Sequence, residues 1–303
     1  MQPANEPHAP CVSTSHSVNA PSTYALSTFH FPLSTQVQLT PLSPADIEIC
    51  ACLHPQREHE LLGRMRWLIS TPYAHTVCAQ NEERVFGWAA AVRFGESAWI
   101  TDVFVARNQR GTGMAQQLIG VLLKEVEAAG CISQLVQVNA DTADAWRAMG
   151  FVQDGAFIHY TGGRFYQATR DEVVHFEPQH NLSVMHLDKR ASGEDRSTYL
   201  LEHYYLGRTY ESAGRVHGFS LALSGHGLIV ADDPAIGLEL QRWHFPTQDY
   251  IIIPEGNADA HAHLLERKYT PTPAGLRMVR GTPVPQRPEM VFAHPFSAIE
   301  GEL

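Results

Sequence analysis

The feature that most constrains this chain is a short run in which an apolar strand passes through a basic, glycine-punctuated turn into a helix. The run covers residues 103–115 and has the sequence VFVARNQRGTGMA. The first backbone N–H groups of a helix have no partners within it, and that end carries a partial positive charge. Glycines in the turn let an anion approach these amides closely. The run therefore predicts a phosphate-binding turn at the start of a helix.

The spacing of the turn excludes two common phosphate motifs. No Lys-Ser/Thr pair follows the second glycine, as the Walker loop requires, and the dinucleotide fingerprint has three glycines in another spacing. Arg110 adds a fixed cation at the rim of the turn. On these residues alone two interpretations stay open, a phosphate cradle and an ordinary tight turn between a strand and a helix.

Residues 110–115 resemble the R/Q-x-x-G-x-G/A signature of the GNAT N-acetyltransferases, and two flanking segments strengthen the resemblance. Residues 84–89 are similar to the family's glycine-bearing strand, and residues 139–151 are similar to its second motif, which ends in Gly-Phe. The resemblance implies an α+β fold of GNAT-like domains, each with a mixed, mostly antiparallel sheet flanked by helices. It also implies a β-α-β cradle for coenzyme A in the first domain.

The GNAT resemblance implies that acetyl-CoA is the cosubstrate and that the amine of a small molecule accepts the acetyl group. Backbone amides near the end of the strand are expected to polarise the thioester carbonyl. The residues that match the family's coenzyme A site are Phe104, Val105, Arg110, Gly111, Thr112, Gly113, Met114, Ala115 and Asn139.

The chain departs from the family at the positions of the usual catalytic side chains. Trp146 stands where many relatives have a tyrosine that protonates the departing thiolate, and an indole N–H is not a usable acid. Thr101 stands where some relatives have a glutamate. Asp102, beside it, is the candidate for drawing the proton through a water or for holding the ammonium; the alternative is a strand-end Asp bonded to backbone. Thr101, Asp102 and Trp146 are therefore the candidate catalytic positions.

The sequence repeats itself, which indicates a tandem duplication. Residues 84–92 are repeated as 215–223, and residues 139–141 are repeated as 257–259. In the second copy, residues 231–237 stand where the phosphate turn stood, and they contain two acids and a proline. The two carboxylates would repel a phosphate, and the proline has no backbone N–H to donate to it. The second copy is therefore expected to have lost its cradle.

This layout resembles the bacterial tandem GNAT proteins of the YitH-like group, in which an intact acetyltransferase half precedes a degenerate half. We expect a Ser/Thr/Pro-rich mobile tail at 1–36, an acetyltransferase domain at 37–165, a linker at 166–182 and a degenerate GNAT-like domain at 183–303. In the first domain, hydrophobic spacing predicts a helix at 55–70, antiparallel strands at 75–79, 84–93 and 98–105, a helix from 111 and a parallel strand at 134–138.

The composition excludes several other classes of function. The formal net charge is −10 and no basic run offsets it, so nucleic acid is not expected as a partner. Five cysteines without CxxC spacing, and an N-terminus without a charged start and apolar run, predict a cytoplasmic protein with reduced thiols. No apolar segment has the length of a membrane helix. His261 and His263 would point in different directions on a helix, so no metal is expected.

Two questions stay open at the level of the sequence. Tyr199, Tyr204, Tyr205 and Tyr210 could pack in the core of the second half or, with Trp243, line a pocket at the domain junction. The second domain is expected to shape the acceptor pocket or the interface, in a monomer or a homodimer. The alternative to an acetyltransferase is a non-catalytic acyl-CoA-binding sensor, which would release no free thiol.

Overall fold

The computed structural model describes residues 37–53, 57–82, 84–164, 171–222, 227–245, 249–296 and 298–299. The predicted tail, residues 1–36, lies outside the described residues. The N-terminal half contains β1 (Gln38–Thr40), α1 (Ile47–Ala51), α2 (Glu58–Ser70), β2 (Ala74–Gln80), β3 (Val85–Phe94), β4 (Ser97–Val105), α3 (Met114–Ala128), β5 (Ser133–Val138), α4 (Ala143–Ala148) and β6 (Val152–Thr161). The C-terminal half contains β7 (Val173–His175), α5 (Asn181–Ser192), α6 (Ser197–Glu202), β8 (Arg208–Ser212), β9 (Arg215–Leu221), β10 (Leu228–Ala231), α7 (Pro234–His244), β11 (Tyr250–Pro254), α8 (Ala258–Glu266), β12 (Thr270–Gly281) and β13 (Val291–Ala293).

The helices and strands of the N-terminal half follow the hydrophobic spacing of the sequence. In α2, Leu61, Met65 and Leu68 recur at helical spacing and are buried, so one stripe of the helix faces the core. Strand β3 alternates between two layers, with Trp88 packed on the side of α1 and α2 and Ala89 on the side of α3. Because both faces of this strand are covered, it reads as a nearly continuous apolar run.

The larger of two sheets has the strand order β1-β2-β3-β4-β5-β12-β6-β11. Strands β2, β3 and β4 form the predicted antiparallel meander. Strand β5 lies parallel to β4 after a crossover through α3, also as predicted. The smaller sheet, β13-β10-β9-β8-β7, is antiparallel. A larger mixed sheet and a smaller antiparallel sheet, packed with helices, confirm the predicted α+β fold class.

Two strands of the C-terminal half complete the larger sheet. Strand β12 pairs with β5 on one side and with β6 on the other, so that Met278 lies opposite both Val136 and Gln153. Strand β11 covers the far edge of β6. In the repeat, β11 and β12 correspond to β5 and β6. Each copy's last strand therefore lies between the last two strands of the other copy, in a two-fold-like arrangement.

One hydrophobic cluster joins both halves. It contains Leu61 of α2 and Phe94 of β3 together with Leu187 of α5, Tyr199 of α6 and Phe296 near the end of the described chain. The ring centroids of Phe94 and Tyr199 lie 5.4 Å apart, and those of Tyr199 and Phe296 lie 6.4 Å apart. The two halves therefore share a core on this face, while α3 covers a separate cluster on the other face.

A buried carboxylate fixes the contact between the halves. Glu194, just after α5, accepts hydrogen bonds from the hydroxyl of Ser97 and from the indole Nε1 of Trp99, both on β4. Trp99 Nε1 lies 2.9 Å from Glu194 Oε1 and 3.0 Å from Oε2. Burial raises the pKa of the Glu194 carboxyl, and the neighbouring guanidinium of Arg196 opposes this shift. The α5–α6 bend is thereby held against the start of β4.

Part of the predicted linker, 166–182, is strand β7, which pairs with β8 at the edge of the smaller sheet. The proposed domain limits, 37–165 and 183–303, stay a prediction. Of the helices in the described ranges, none is long and apolar enough to span a bilayer.

We expect that a fragment of residues 37–165 does not fold stably alone, because it lacks the strand that lies between β5 and β6. It would leave two strand edges unpaired, and exposed edges promote aggregation. Size-exclusion chromatography and thermal unfolding followed by circular dichroism test this, with residues 37–303 as the control. A monomeric fragment with a cooperative transition would show that the first half folds without the shared sheet.

Candidate functional site

The glycine turn lies between β4 and α3 and has the conformation that glycine permits. Gly111 has φ 72° and Gly113 has φ 84°, both in the left-handed region. A Cβ at either position would meet no atom within 4 Å, so the space in front of the turn is open. Thr112 closes the turn by donating from Oγ1 to the carbonyl of Gln109 at 2.7 Å. The turn thus has the bare, open backbone that a phosphate cradle needs.

The start of α3 presents backbone donors to this open space. The first bond of the helix runs from the N–H of Gln117 to the carbonyl of Gly113 at 3.1 Å. The amides of residues 114–116 come before that bond and have no acceptor within the helix. Together with the helix dipole they favour an anion. Arg110 is half-buried in the same turn, and Asn139 is exposed at the end of β5.

Strand β4 separates from β5 partway along its length. The last parallel pair is Ile100 with Val136. At the same point the pairing of β4 with β3 shifts register, and Thr101 is left over as a β-bulge between Ile100 and Asp102. The bulge and the separation together open a gap at the C-terminal end of β4.

A cavity of about 400 Å³ lies at this gap, and both halves of the chain line it. Its walls come from α2, the end of β4, the region of α6 and the last described residues of the chain. The side chains on which its chemistry depends are Arg57, Glu60, Arg64, Trp67, Thr101, Asp102, Tyr199, His203 and Phe296. A cavity enclosed by two structural units is a common location for a small-molecule site.

Asp102 is held in the cavity wall by an ion pair. Its Oδ2 accepts hydrogen bonds from Arg64 Nη2 at 3.1 Å, from Arg64 Nε at 3.3 Å and from Thr101 Oγ1 at 2.7 Å. The Arg64 guanidinium lies 5.1 Å from the ring centroid of Trp67. Burial lowers the pKa of Arg64, but attraction to Asp102 and other nearby groups outweighs it, and the pKa is raised. Asp102 thus accepts hydrogen bonds from side chains, and the guanidinium of Arg64 balances the negative charge of its carboxylate.

Aromatic rings form a second wall of the cavity. Tyr199 lies edge-on to Trp67 with centroids 6.0 Å apart and stacks on Phe296 at 6.4 Å. Tyr199 therefore packs in the shared core and also lines the cavity. Both interpretations of the tyrosines, core packing and pocket lining, apply to this residue. The other candidates are not among the residues lining this cavity: Tyr204, Tyr205, Tyr210 and Trp243.

Trp146 lies away from the cavity. It is buried on α4, edge-on to Phe151 with centroids 5.1 Å apart, in the cluster beneath α3. The structure brings Thr101 and Asp102 together but does not bring Trp146 to them. At the family's tyrosine position, this chain therefore has a side chain that packs in the hydrophobic core.

Six cavity residues were missed by sequence reasoning: Arg57, Glu60, Arg64, Trp67, His203 and Phe296. Arg64 and Trp67 follow Leu61 at intervals of three on α2, so they form a polar and aromatic face beside the buried stripe. That spacing was the available signal. His203 and Phe296 reach the cavity only through the packing of the two halves, and no local pattern marks them.

The second copy fills its own helix start with carboxylates. Asp233 Oδ1 accepts from the N–H of Ala235 at 2.8 Å and caps α7. Asp232 Oδ2 lies 3.4 Å from Arg190 Nη2 and 3.3 Å from Arg215 Nη2. A phosphate placed here would meet two carboxylates that already use the available donors. This geometry supports the predicted loss of the second cradle.

Metal ligation finds no support in the part of the chain that the structure describes, where no group of three or more His, Cys, Asp or Glu side chains could hold an ion. His261, one of the two helical histidines, contacts the Tyr160 hydroxyl at 2.8 Å and the Pro254 carbonyl at 3.1 Å. The sulfurs of Cys50 and Cys78 lie 4.0 Å apart as buried thiols.

Comparison with known protein families matches residues 45–151 to the acetyltransferase (GNAT) family. The matched stretch is about a third of the chain and includes α2, β4, the glycine turn and α3. A search of curated proteins finds no match.

Three solved structures share the fold over most of both chains. A candidate acetyltransferase from Pyrococcus horikoshii has a TM-score of 0.73 at 20% identity, over 88% of this chain and 97% of its own. A GCN5-related N-acetyltransferase from Sphaerobacter thermophilus has a TM-score of 0.54 at 14% identity, over 83% and 98%. A tandem GNAT protein from the clavulanic acid biosynthesis pathway has a TM-score of 0.53 at 14% identity, over 82% and 99%. At such identities the likeness shows the fold alone.

The fold is therefore the GNAT fold with two domain-like parts, as the sequence predicted. The YitH-like subtype stays a prediction. Residues 45–151, which carry the glycine turn and the polar wall of the cavity, match the acetyltransferase (GNAT) family.

Proposed function

We propose that this chain is an acetyl-CoA-dependent N-acetyltransferase that acts on the amine of a small molecule, with the acceptor bound in the cavity between the halves. The observation that carries the proposal is the position of the cavity. It opens at the separated end of β4, the same strand that leads into the glycine turn. One strand thus connects a phosphate cradle to an enclosed pocket.

The residues of the turn fit coenzyme A. Its pyrophosphate would lie against the open backbone of Gly111 and Gly113 and the free amides at the start of α3, with Arg110 beside it. The backbone of Phe104 and Val105 lies beyond the last pair between β4 and β5, where its amides would polarise the thioester carbonyl. Acetyl-CoA supplies the activated acetyl group, and the chain positions it.

The cavity wall is suited to a monoamine. Its charged side chains pair with one another, Arg57 with Glu60 at 2.6 Å and Arg64 with Asp102 at 3.1 Å. Since neither charge is in excess, the wall does not attract a second ammonium. An alkylamine with a pKa near ~10.4 is only about 1 part in 2,500 neutral at pH 7, so the site must take up a proton from the amine. The C-terminal half completes this pocket with its aromatic wall.

A non-catalytic acyl-CoA-binding sensor is the second candidate, and one observation favours it: Trp146 is buried in the core at the position where many relatives have their acid. Loss of that acid is tolerable for an enzyme, because a thiol with a pKa near ~8.5 leaves readily as a thiolate. Thiol release from acetyl-CoA with a panel of primary amines separates the two. Release together with an N-acetylated product shows the enzyme; binding of acetyl-CoA without release for any amine favours the sensor.

We expect Gly113→Val to lower the affinity for coenzyme A at least about tenfold, because a branched side chain would occupy the open cradle. Gly130→Val is the matched control. Gly130 lies just beyond the other end of α3, has φ 91°, and its Cβ would also meet open space, so the backbone strain is similar. Calorimetry on both variants measures the effect. Near-native affinity in Gly113→Val would contradict the cradle assignment.

We expect one coenzyme A to bind per chain. The second helix start is already capped by Asp233 and carries the paired carboxylate of Asp232. Titration of the full chain, with protein concentration fixed by amino-acid analysis, gives the stoichiometry. A plateau at two equivalents would show that the second copy still binds.

We expect Asp102→Asn to lower the rate at pH 7 more than about tenfold, because it removes the charge that holds Arg64 and the nearby ammonium. Trp146→Phe should lower the rate much less, since Trp146 packs outside the cavity. Steady-state thiol release measures both, and thermal unfolding separates lost rate from lost stability. Full activity of Asp102→Asn at every pH would remove Asp102 from the reaction.

A further inference from the structure

We propose that His203, supplied by the C-terminal half, accepts the proton that the acceptor amine loses during acetyl transfer. The proposal rests on the acetyltransferase function proposed above and names a residue in it that sequence motifs do not mark. His203 directly follows α6 and lines the cavity together with Thr101 and Asp102 of β4.

The ring of His203 is held by its aromatic neighbours. It lies edge-on to Tyr199 with centroids 5.0 Å apart and tilted against Trp67 at 6.4 Å. Trp67 belongs to α2 of the first half, and Tyr199 belongs to α6 of the second. The imidazole is thus placed where the two halves meet, in contact with one ring from each half.

One nitrogen of this ring lacks a partner. His203 Nε2 is buried and has no hydrogen bond within the described residues. A buried nitrogen without a partner costs free energy, and a donor that enters the cavity would recover it. An amine N–H is such a donor.

The charges around His203 favour its neutral form. Burial lowers the pKa of His203 below its ordinary value of 6.5; Glu202 opposes this, and Arg64 reinforces it. Glu202 itself accepts from the Tyr73 hydroxyl at 2.6 Å. The ionisable groups that face the ring are therefore Glu202 and Tyr199 from α6 and Arg64 from α2. At pH 7 the imidazole is neutral and keeps a lone pair for a proton.

Asp102 is less available as a proton acceptor than His203. Its Oδ2 already accepts hydrogen bonds from Arg64 and Thr101. Asp102 is therefore suited to hold Arg64 and to orient the ammonium. His203 is suited to receive the proton, because its lone pair is not engaged by a cation.

The ammonium of the acceptor first loses one proton to solvent water. The neutral amine nitrogen then forms a C–N bond to the acetyl carbon while the π electron pair of the C=O bond moves to oxygen and returns as the thiolate leaves. The nitrogen becomes cationic, which makes its N–H acidic. His203 takes that proton. The C–S bond breaks, and its electron pair leaves with the sulfur. The protonated His203 gives its proton to the departing thiolate or to water, so that the products are the N-acetyl amine and the free thiol, and the imidazole is neutral again.

The test compares His203→Gln with His75→Gln in the full chain. His75 lies on β2, outside the residues that line the cavity, and burial also lowers its pKa, so it is a matched control. kcat/KM for thiol release is measured from pH 5 to 9 with benzylamine, ethanolamine, glycine and putrescine. In the unmodified chain and in His75→Gln, we expect kcat/KM to fall at low pH as His203 becomes protonated, with an apparent pKa below 6.5; this fall is the acid limb of the profile. His203→Gln should lose that limb and fall about 10²-fold at pH 7, with unchanged acetyl-CoA affinity.

Two results would overturn the assignment. The first is a His203→Gln variant with full kcat/KM and the same acid limb. The second is an acid limb that Asp102→Asn removes and His203→Gln does not; we expect Asp102→Asn to lower the rate at every pH and to keep the limb.

A measurement without turnover separates failure of this assignment from failure of the proposed function. If acetyl-CoA binds but none of the four amines releases thiol, the acetyltransferase function fails. The imidazole ¹⁵N signals of His203, assigned with His203→Gln, are then followed with the same amines. A shift of these signals but not those of His75 supports His203 as the amine contact; no shift with any of the amines overturns it.

Discussion

The insertion of β12 between β5 and β6 is the constraint on which the rest of this molecule depends. Backbone hydrogen bonds on both sides of β12 fix the C-terminal half against the N-terminal half in one register. That register sets α5 and α6 against α2 and brings the last described residues beside the end of β5, where Ile299 bridges Val138. The cavity lies between these elements, because they form its walls.

The two copies share a topology but differ in structure at the equivalent helix start. In the first, a glycine backbone leaves the helix start open; in the second, Asp233 closes the equivalent helix start. The first copy therefore retains the electropositive end that an anion requires, and the second satisfies it internally. In the proposed function, the second copy instead contributes the aromatic wall of the cavity and His203.

Local pattern in the sequence was sufficient for the main helices and strands of the N-terminal half and for the glycine turn. The stripe of α2, the meander of β2 to β4 and the left-handed glycines all follow from spacing and from the absence of a Cβ. Asp102 was chosen as a candidate because it adjoins a family position, and it lines the cavity. Its pairing with Arg64 was not found, because the two are 38 residues apart and meet only after α2 packs on the sheet. The strand exchange was also out of reach, since hydrophobic periodicity identifies a strand but not its neighbour.

The central claim is that both halves form one acceptor site. Hydrogen–deuterium exchange of the full chain, with acetyl-CoA alone and with acetyl-CoA plus an amine that is turned over, tests it most directly. We expect the amine to add protection in two places, around Arg64 in α2 and around Tyr199 and His203 at the end of α6. Added protection confined to α2 and β4, with none in the C-terminal half, would contradict a shared site.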